Sequence, residues 1–132
     1  MKRLHIVAAI IFNAEKDKIF ITKRAKEAHQ GGLWEFPGGK VENNESAQQG
    51  LIRELYEEVG IVVTELSLFE HLNYDYPDKS LEFDFFTVTQ FQHEPFGKEG
   101  QLGEWVKVKS LVDYEFPKAN VPIVSKIIEL SV

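Results

Sequence analysis

The 132-residue sequence predicts an α/β fold (α+β by some schemes) in which a mixed β-sheet is sandwiched between helices. Three observations carry this. Residues 4–12 form a nearly continuous apolar, branched run of strand length, as a buried strand requires. Residues 45–60 repeat with a helical period, apolar on one arc and acidic on the other. Residues 81–89 alternate apolar and polar up to Phe85-Phe86, and a second amphipathic helical stretch closes the chain at 120–130.

Taken in order, 13–18 is a polar turn and 19–23 returns as a second strand. Residues 24–32 are polar, contain two glycines and read as a loop. Residues 33–36 are a short extended piece, because Pro37 pushes Phe36 out of helical space. Gly38-Gly39 allows sharp backbone geometry beside the acidic helix. That helix opens at Glu45-Ser46, where Ser46 and Gln49 have the spacing of a capping box, and Gly60 stops it. Leu51, Ile52, Leu55, Tyr56 and Val59 are expected to bury against the sheet. Gly50 costs the helix about 0.5–1 kcal/mol relative to alanine. It leaves room either for an ion or for a packed neighbour. Residues 61–63 and 66–76 are extended, 77–80 turn, and 81–91 complete a long hairpin. A Gly- and Glu-rich loop (93–103) leads to a strand at 104–108. The last helix presents Ile123, Val124, Ile127, Ile128 and Leu130 to the core. With no repeat, linker or low-complexity segment, residues 1–132 are expected to form a single domain.

Composition narrows the chemistry. There is no cysteine, so thiol nucleophiles, thiolate metal sites and disulfides are excluded, and a reducing, cytoplasmic setting is expected. The apolar run after the basic start ends at Asn13, too short to span a bilayer and without a cleavage signal, so no membrane partner is expected. A net charge of −6 argues against a nucleic-acid polymer as partner. It also opposes a polyanionic substrate unless a bound cation supplies the positive charge. With no interface signal beyond aromatics that fit a core, a monomer is expected.

The acidic helix offers a place for that cation. Glu54, Glu57 and Glu58 stand at i, i+3 and i+4, on one face. A solvated acidic face is the plainer reading, but stacked like charges cost a helix a few tenths of a kcal/mol, and oxygen clusters suit hard cations such as Mg²⁺ or Mn²⁺. The register around them is specific: Gly39, five residues, Glu45, seven residues, Arg53-Glu54-Leu55, one residue, Glu57-Glu58, one residue, Gly60-Ile61. At every fixed position of that pattern, residues 39–61 resemble the signature box of the Nudix hydrolases. Membership implies an α/β/α sandwich and metal-dependent hydrolysis of nucleoside diphosphate derivatives. Further matches cover most of the chain: 19–24, 35–40, 67–70, Glu94-Pro95, 97–101, 103–105, Phe116-Pro117, Ala119-Asn120 and Pro122. These resemble the bacterial branch of the family that hydrolyses 8-oxo-dGTP to 8-oxo-dGMP and pyrophosphate, acting on a nucleoside triphosphate. Other Nudix substrates (ADP-ribose, a dinucleoside polyphosphate) and a non-catalytic nucleotide-sensing module are the alternatives. The second would normally have lost box carboxylates that this chain keeps.

The resemblance implies metal ligands at Glu54, Glu57, Glu58 and Glu99, with the backbone carbonyl of Gly38, and Mg²⁺ as the cofactor, replaceable by Mn²⁺. The general base is Glu54 or Glu99; both stand near ions that lower a carboxylate pKa, which leaves the choice open. Arg53, four residues before Glu57, reads as a partner that orients that carboxylate, and Glu45 as a structural residue at the helix N-terminus. For the substrate, the resemblance implies Arg24, His29, the backbone of Glu35, Phe36, Pro37 and Gly38, and Asn120, with Leu4 and Ile6 as walls of the base pocket. Lys79 stands where that branch usually carries arginine, which keeps the charge and loses the planar fork. Oxidation at C8 turns guanine N7 into a donor while O6 stays an acceptor. A side-chain amide offers one of each, so Asn120 can read both. The other role open to Asn120 is to cap the last helix, with Pro122 in its first turn.

Overall fold

The computed structural model describes residues 3–24, 32–98 and 101–131; the expectations for His29 and Glu99 fall outside them. Strand β1 (Leu4–Phe12) runs through the middle of the sheet. Its side chains alternate between two cores: Ala8 and Ile10 face one, Val7, Ala9 and Ile11 the other. A strand buried on both faces has no polar side to show, which is why it reads as an unbroken apolar run. Six more strands complete the sheet: β2 (Lys18–Lys23), β3 (Trp34–Glu35), β4 (Gly38–Lys40), β5 (Val62–Tyr76), β6 (Lys79–Gln92) and β7 (Gly103–Lys107). The order is β3-β2-β1-β6-β5, with β4 beside β1 and β7 beside β2. Among the described residues only the β1–β6 pair is parallel, with Leu4 opposite Leu81 and Ile11 opposite Val88, so the sheet is mixed as predicted.

Helix α1 (Ala47–Val59) covers one face and α2 (Val121–Leu130) the other. The capping box forms: Ser46 accepts from the Gln49 N–H, and the Gln49 side chain accepts from the Ser46 N–H. Gly60 closes α1 in the left-handed region at φ 75°. Leu51, Leu55 and Val59 are fully buried. At about 1.5–3 kcal/mol each, they outweigh the like-charge repulsion on the opposite arc several-fold. Ile52 and Tyr56 do not bury as expected; they remain 39% and 59% exposed. The buried stripe is the single row 51-55-59, and residues one position on lie about 100° around the helix. In α2, Ile123, Val124 and Ile127 pack inward, while Leu130, in the last turn, stays exposed.

Two local features depart from the sequence reading. Gly38-Gly39 is a strand, β4, in which Gly38 and Gly39 pair with Ala8 and Val7. A side chain on Gly38 would overlap the Val7 carbonyl oxygen, so close backbone approach, rather than a turn, explains this glycine. The β5–β6 hairpin turns on Pro77-Asp78 alone, and Lys79 is already in β6, opposite Tyr76. Among the described residues no helix is long and apolar enough to cross a membrane.

Candidate active site

The strand order brings β4 under α1, and with it the two glycines under the acidic face. A Cβ on Gly39 would lie 2.6 Å from both carboxylate oxygens of Glu54, so this glycine is what admits that carboxylate. Arg53 organises the cluster. Its guanidinium donates to Glu45 at 2.7 and 3.1 Å, to Glu54 at 3.0 Å, to Glu57 at 3.1 Å and to the Lys40 carbonyl at 3.1 Å. Those bonds, the Glu45 one foremost, hold Arg53 protonated far above any working pH. Glu45 in turn is held below the usual carboxylate range by Arg53 and by the Glu42 N–H. It faces the place where a Cβ on Gly50 would stand, 3.0 Å away. Gly50 therefore makes room for a packed neighbour, and Glu45 is structural.

Glu54, Glu57 and Glu58 line one polar pocket of about 340 Å³ together with Lys98 and Gln101. The loop that supplies Lys98 is docked on the end of α1, where Phe96 and Lys98 N–H groups cap the Val59 and Glu58 carbonyls at 3.1 Å. Burial pushes the Glu58 carboxyl up to about 8, with help from the Glu35 and Glu54 carboxylates; the Gly38 N–H and Arg24 offset only part of this. Burial likewise raises Glu54, against its bonds to Arg53. Carboxylate oxygens gathered on one helix face, two of them half-buried or more and resisting ionisation, are the chemistry that fits a hard divalent cation. Among the described residues no three such side chains converge on one point, so the pocket supplies donors without a closed shell.

Glu58 and the Gly38-Gly39 strand also border a second, less polar cavity of about 320 Å³. It gathers most of the substrate residues expected from the sequence: Leu4, Ile6, Arg24, Glu35, Phe36, Gly38, Lys79 and Asn120. Arg24 and Glu35 form an ion pair at 2.5 Å, and burial still leaves the Glu35 carboxyl raised. Phe36, 3% exposed, is fixed by Phe116 at 5.1 Å between centroids and by Phe85 at 6.3 Å. Pro37 does not reach the cavity; it is buried, and its carbonyl accepts the Ala9 N–H at 2.8 Å. Asn120 is 6% exposed, takes a helical backbone conformation (φ −87°, ψ −18°) and makes no side-chain cap bond, so its amide is not spent on the helix. Sequence reasoning missed Tyr76, which shares the cavity wall; its apolar-aromatic pattern carries no sign that its hydroxyl is used.

The NUDIX domain model matches residues 7–126. The chain is 47% identical to the 8-oxo-dGTP diphosphatase of Escherichia coli strain K12, over 96% of this chain and 98% of that protein. It is 34% identical to the CTP pyrophosphohydrolase of the same organism, over 98% and 95%. A solved structure from a study of MutT from Aliivibrio salmonicida and Vibrio cholerae superposes with a TM-score of 0.90 at 53% identity, covering 98% of this chain and 99% of that one.

Proposed function

The chain belongs to the NUDIX family of hydrolases, and from that membership we propose that it converts 8-oxo-dGTP to 8-oxo-dGMP and pyrophosphate, with dGTP and GTP as weaker substrates. As a monomeric cytoplasmic enzyme formed by residues 1–132, it would clear the oxidised nucleotide from the precursor pool before replication. Asn120 carries this reading: a buried amide on the cavity wall, with no side-chain bond to its own helix.

In this reading the Asn120 amide donates to O6 and accepts from N7–H of the oxidised base. Unmodified guanine sets a lone pair against the amide carbonyl, a buried mismatch that costs binding heavily. Leu4, Ile6 and Phe36 enclose the base, while Arg24 and Lys79 bring positive charge to the nucleotide. Glu54, Glu57, Glu58 and the Gly38 carbonyl, with Glu99 from outside the described residues, would hold Mg²⁺, or Mn²⁺ in its place, which would supply neutralisation of the phosphate charge and a more acidic attacking water. Glu54 takes the water's proton; its burial raises it toward the basicity the task needs. Arg53 keeps Glu54 and Glu57 in place. A cation held on α1 would offset the net charge of −6 where the phosphates approach.

Pyrophosphate release from 8-oxo-dGTP, dGTP and CTP, and AMP release from ADP-ribose, at low concentration with Mg²⁺ test the assignment. A strong preference for the oxidised guanine nucleotide is expected. Equal rates with dGTP, or a preference for CTP, would overturn it.

A further inference from the structure

The amide that reads the base needs a fixed platform, and the fold supplies one from a distant strand. Asn120 ends a single 3₁₀ turn, Lys118–Asn120, whose bonds run from the Asn120 N–H to the Pro117 carbonyl at 2.9 Å and from the Val121 N–H to the Lys118 carbonyl. The N–H of the fully buried Ala119, in the same turn, donates at 3.0 Å to the hydroxyl of Tyr76 at the end of β5. Tyr76 is itself 8% exposed, packed on Tyr74 at 4.7 Å between ring centroids, and shares the cavity wall with Asn120. Burial raises its phenol above the ordinary value, so it stays un-ionised across the working pH range.

We propose that Tyr76 is a positioning residue for base recognition: its hydroxyl pins the Ala119 N–H and thereby sets the direction of the Asn120 amide. This rests on the reading of Asn120 given above. Both of the turn's own bonds are made by other N–H groups, so the Tyr76 hydroxyl is what holds the Ala119 N–H, one residue before Asn120, and it bears on where the next side chain points. The bond that Tyr76 makes to Ala119 belongs to the turn before α2, whereas the box carboxylates stand on α1. Its loss should therefore alter discrimination and leave the chemical step unchanged.

The test compares kcat and KM for 8-oxo-dGTP and dGTP in wild type, Tyr76→Phe, Asn120→Ala and the double variant. Tyr76→Phe is expected to raise KM for 8-oxo-dGTP and to lower the preference for it about three- to tenfold, the loss matching one ordering hydrogen bond, at unchanged kcat. Added to Asn120→Ala, it should change the preference no further. An unchanged preference in Tyr76→Phe, while Asn120→Ala loses it, overturns the role of Tyr76 alone. Independent, multiplying losses in the double variant overturn positioning in favour of direct contact. A wild type without preference overturns the reading of Asn120 instead. If Tyr76→Phe melts early, amide exchange on wild type still decides: an unprotected Ala119 N–H rejects the bond.

Discussion

Replacing Gly39 by alanine separates catalysis from folding at one atom. Gly39 does not lie in the left-handed region, so alanine fits its backbone, and the stability change should stay under about 1 kcal/mol. The new Cβ would stand 2.6 Å from both oxygens of Glu54. Non-bonded contacts settle near 3.5–4.0 Å, so the carboxylate must withdraw by about 1 Å. It can do so, being the free end of a flexible side chain. A displacement of that size at a reacting group costs on the order of 100-fold in rate. Gly39→Ala should thus melt close to wild type and lose about 100-fold in kcat, with Asn120 and Arg24 untouched and KM little changed. Gly38→Ala is the control: its Cβ meets the backbone of β1, 2.7 Å from the Ala8 Cα, where nothing can withdraw, and it should destabilise the fold itself. Thermal melting and steady-state pyrophosphate release on both variants decide the matter. A folded Gly39→Ala enzyme with near-wild-type kcat would refute the placement of Glu54 at the reacting centre.

Glu54→Gln should keep the fold and lose roughly 10²–10⁴-fold in kcat, the usual contribution of a general base; a rate near wild type would reassign the base to Glu99. Because burial pushes the Glu58 carboxyl up to about 8, ligation of a cation by it would require loss of a proton. Mg²⁺ affinity should therefore tighten by roughly tenfold per pH unit on approach to that value, and calorimetry showing constant affinity from about pH 6 to pH 7.5 would contradict it. Asp84 accepts from His5 at 2.7 Å and from His71 at 2.6 Å. Burial alone would raise its carboxyl, but these bonds outweigh it and hold it below the ordinary 3.8. The unfolded chain then binds the proton more readily, so this stabilisation is present above pH 3.8 and fades as pH falls through the folded value. Asp84→Asn should flatten the acid limb of a urea-unfolding series; an unchanged limb would exclude the His5–Asp84–His71 contact as its source.

The sequence showed most clearly what repeats or is punctuated. Capping box, terminal glycine, acidic face and central strand were all legible because each has a local period or a local stop signal. Ile52 and Tyr56 misled because a 100° apolar arc is wider than the one row that the sheet covers. Strand β4 was invisible, since glycines have no side-chain alternation to read and only the Val7 carbonyl reveals why they are needed. At the site, the carboxylates announced themselves by spacing. The base-reading wall did not: Asn120 was found by resemblance, and whether it caps its helix was a question only its backbone angles and missing cap bond could answer. Tyr76 makes its bond to a residue 43 positions away, beyond the reach of any local pattern.

The parallel pairing of β1 with β6 bears on how the chain acquires its structure. Residues 4–11 of β1 complete one edge only when residues 81–88 of β6 are present. The floor on which Leu51, Leu55 and Val59 rest includes Phe86 and Val88 from that same strand. A nascent chain that has emerged only as far as Gly60 therefore carries every fixed residue of the catalytic motif except the last, yet has no complete surface on which to hold it. Non-local closure of this kind is slow and leaves an apolar edge uncovered in the meantime. The motif is contiguous in sequence, but the surface that holds it is not, and a fragment bearing it alone should be neither stable nor soluble.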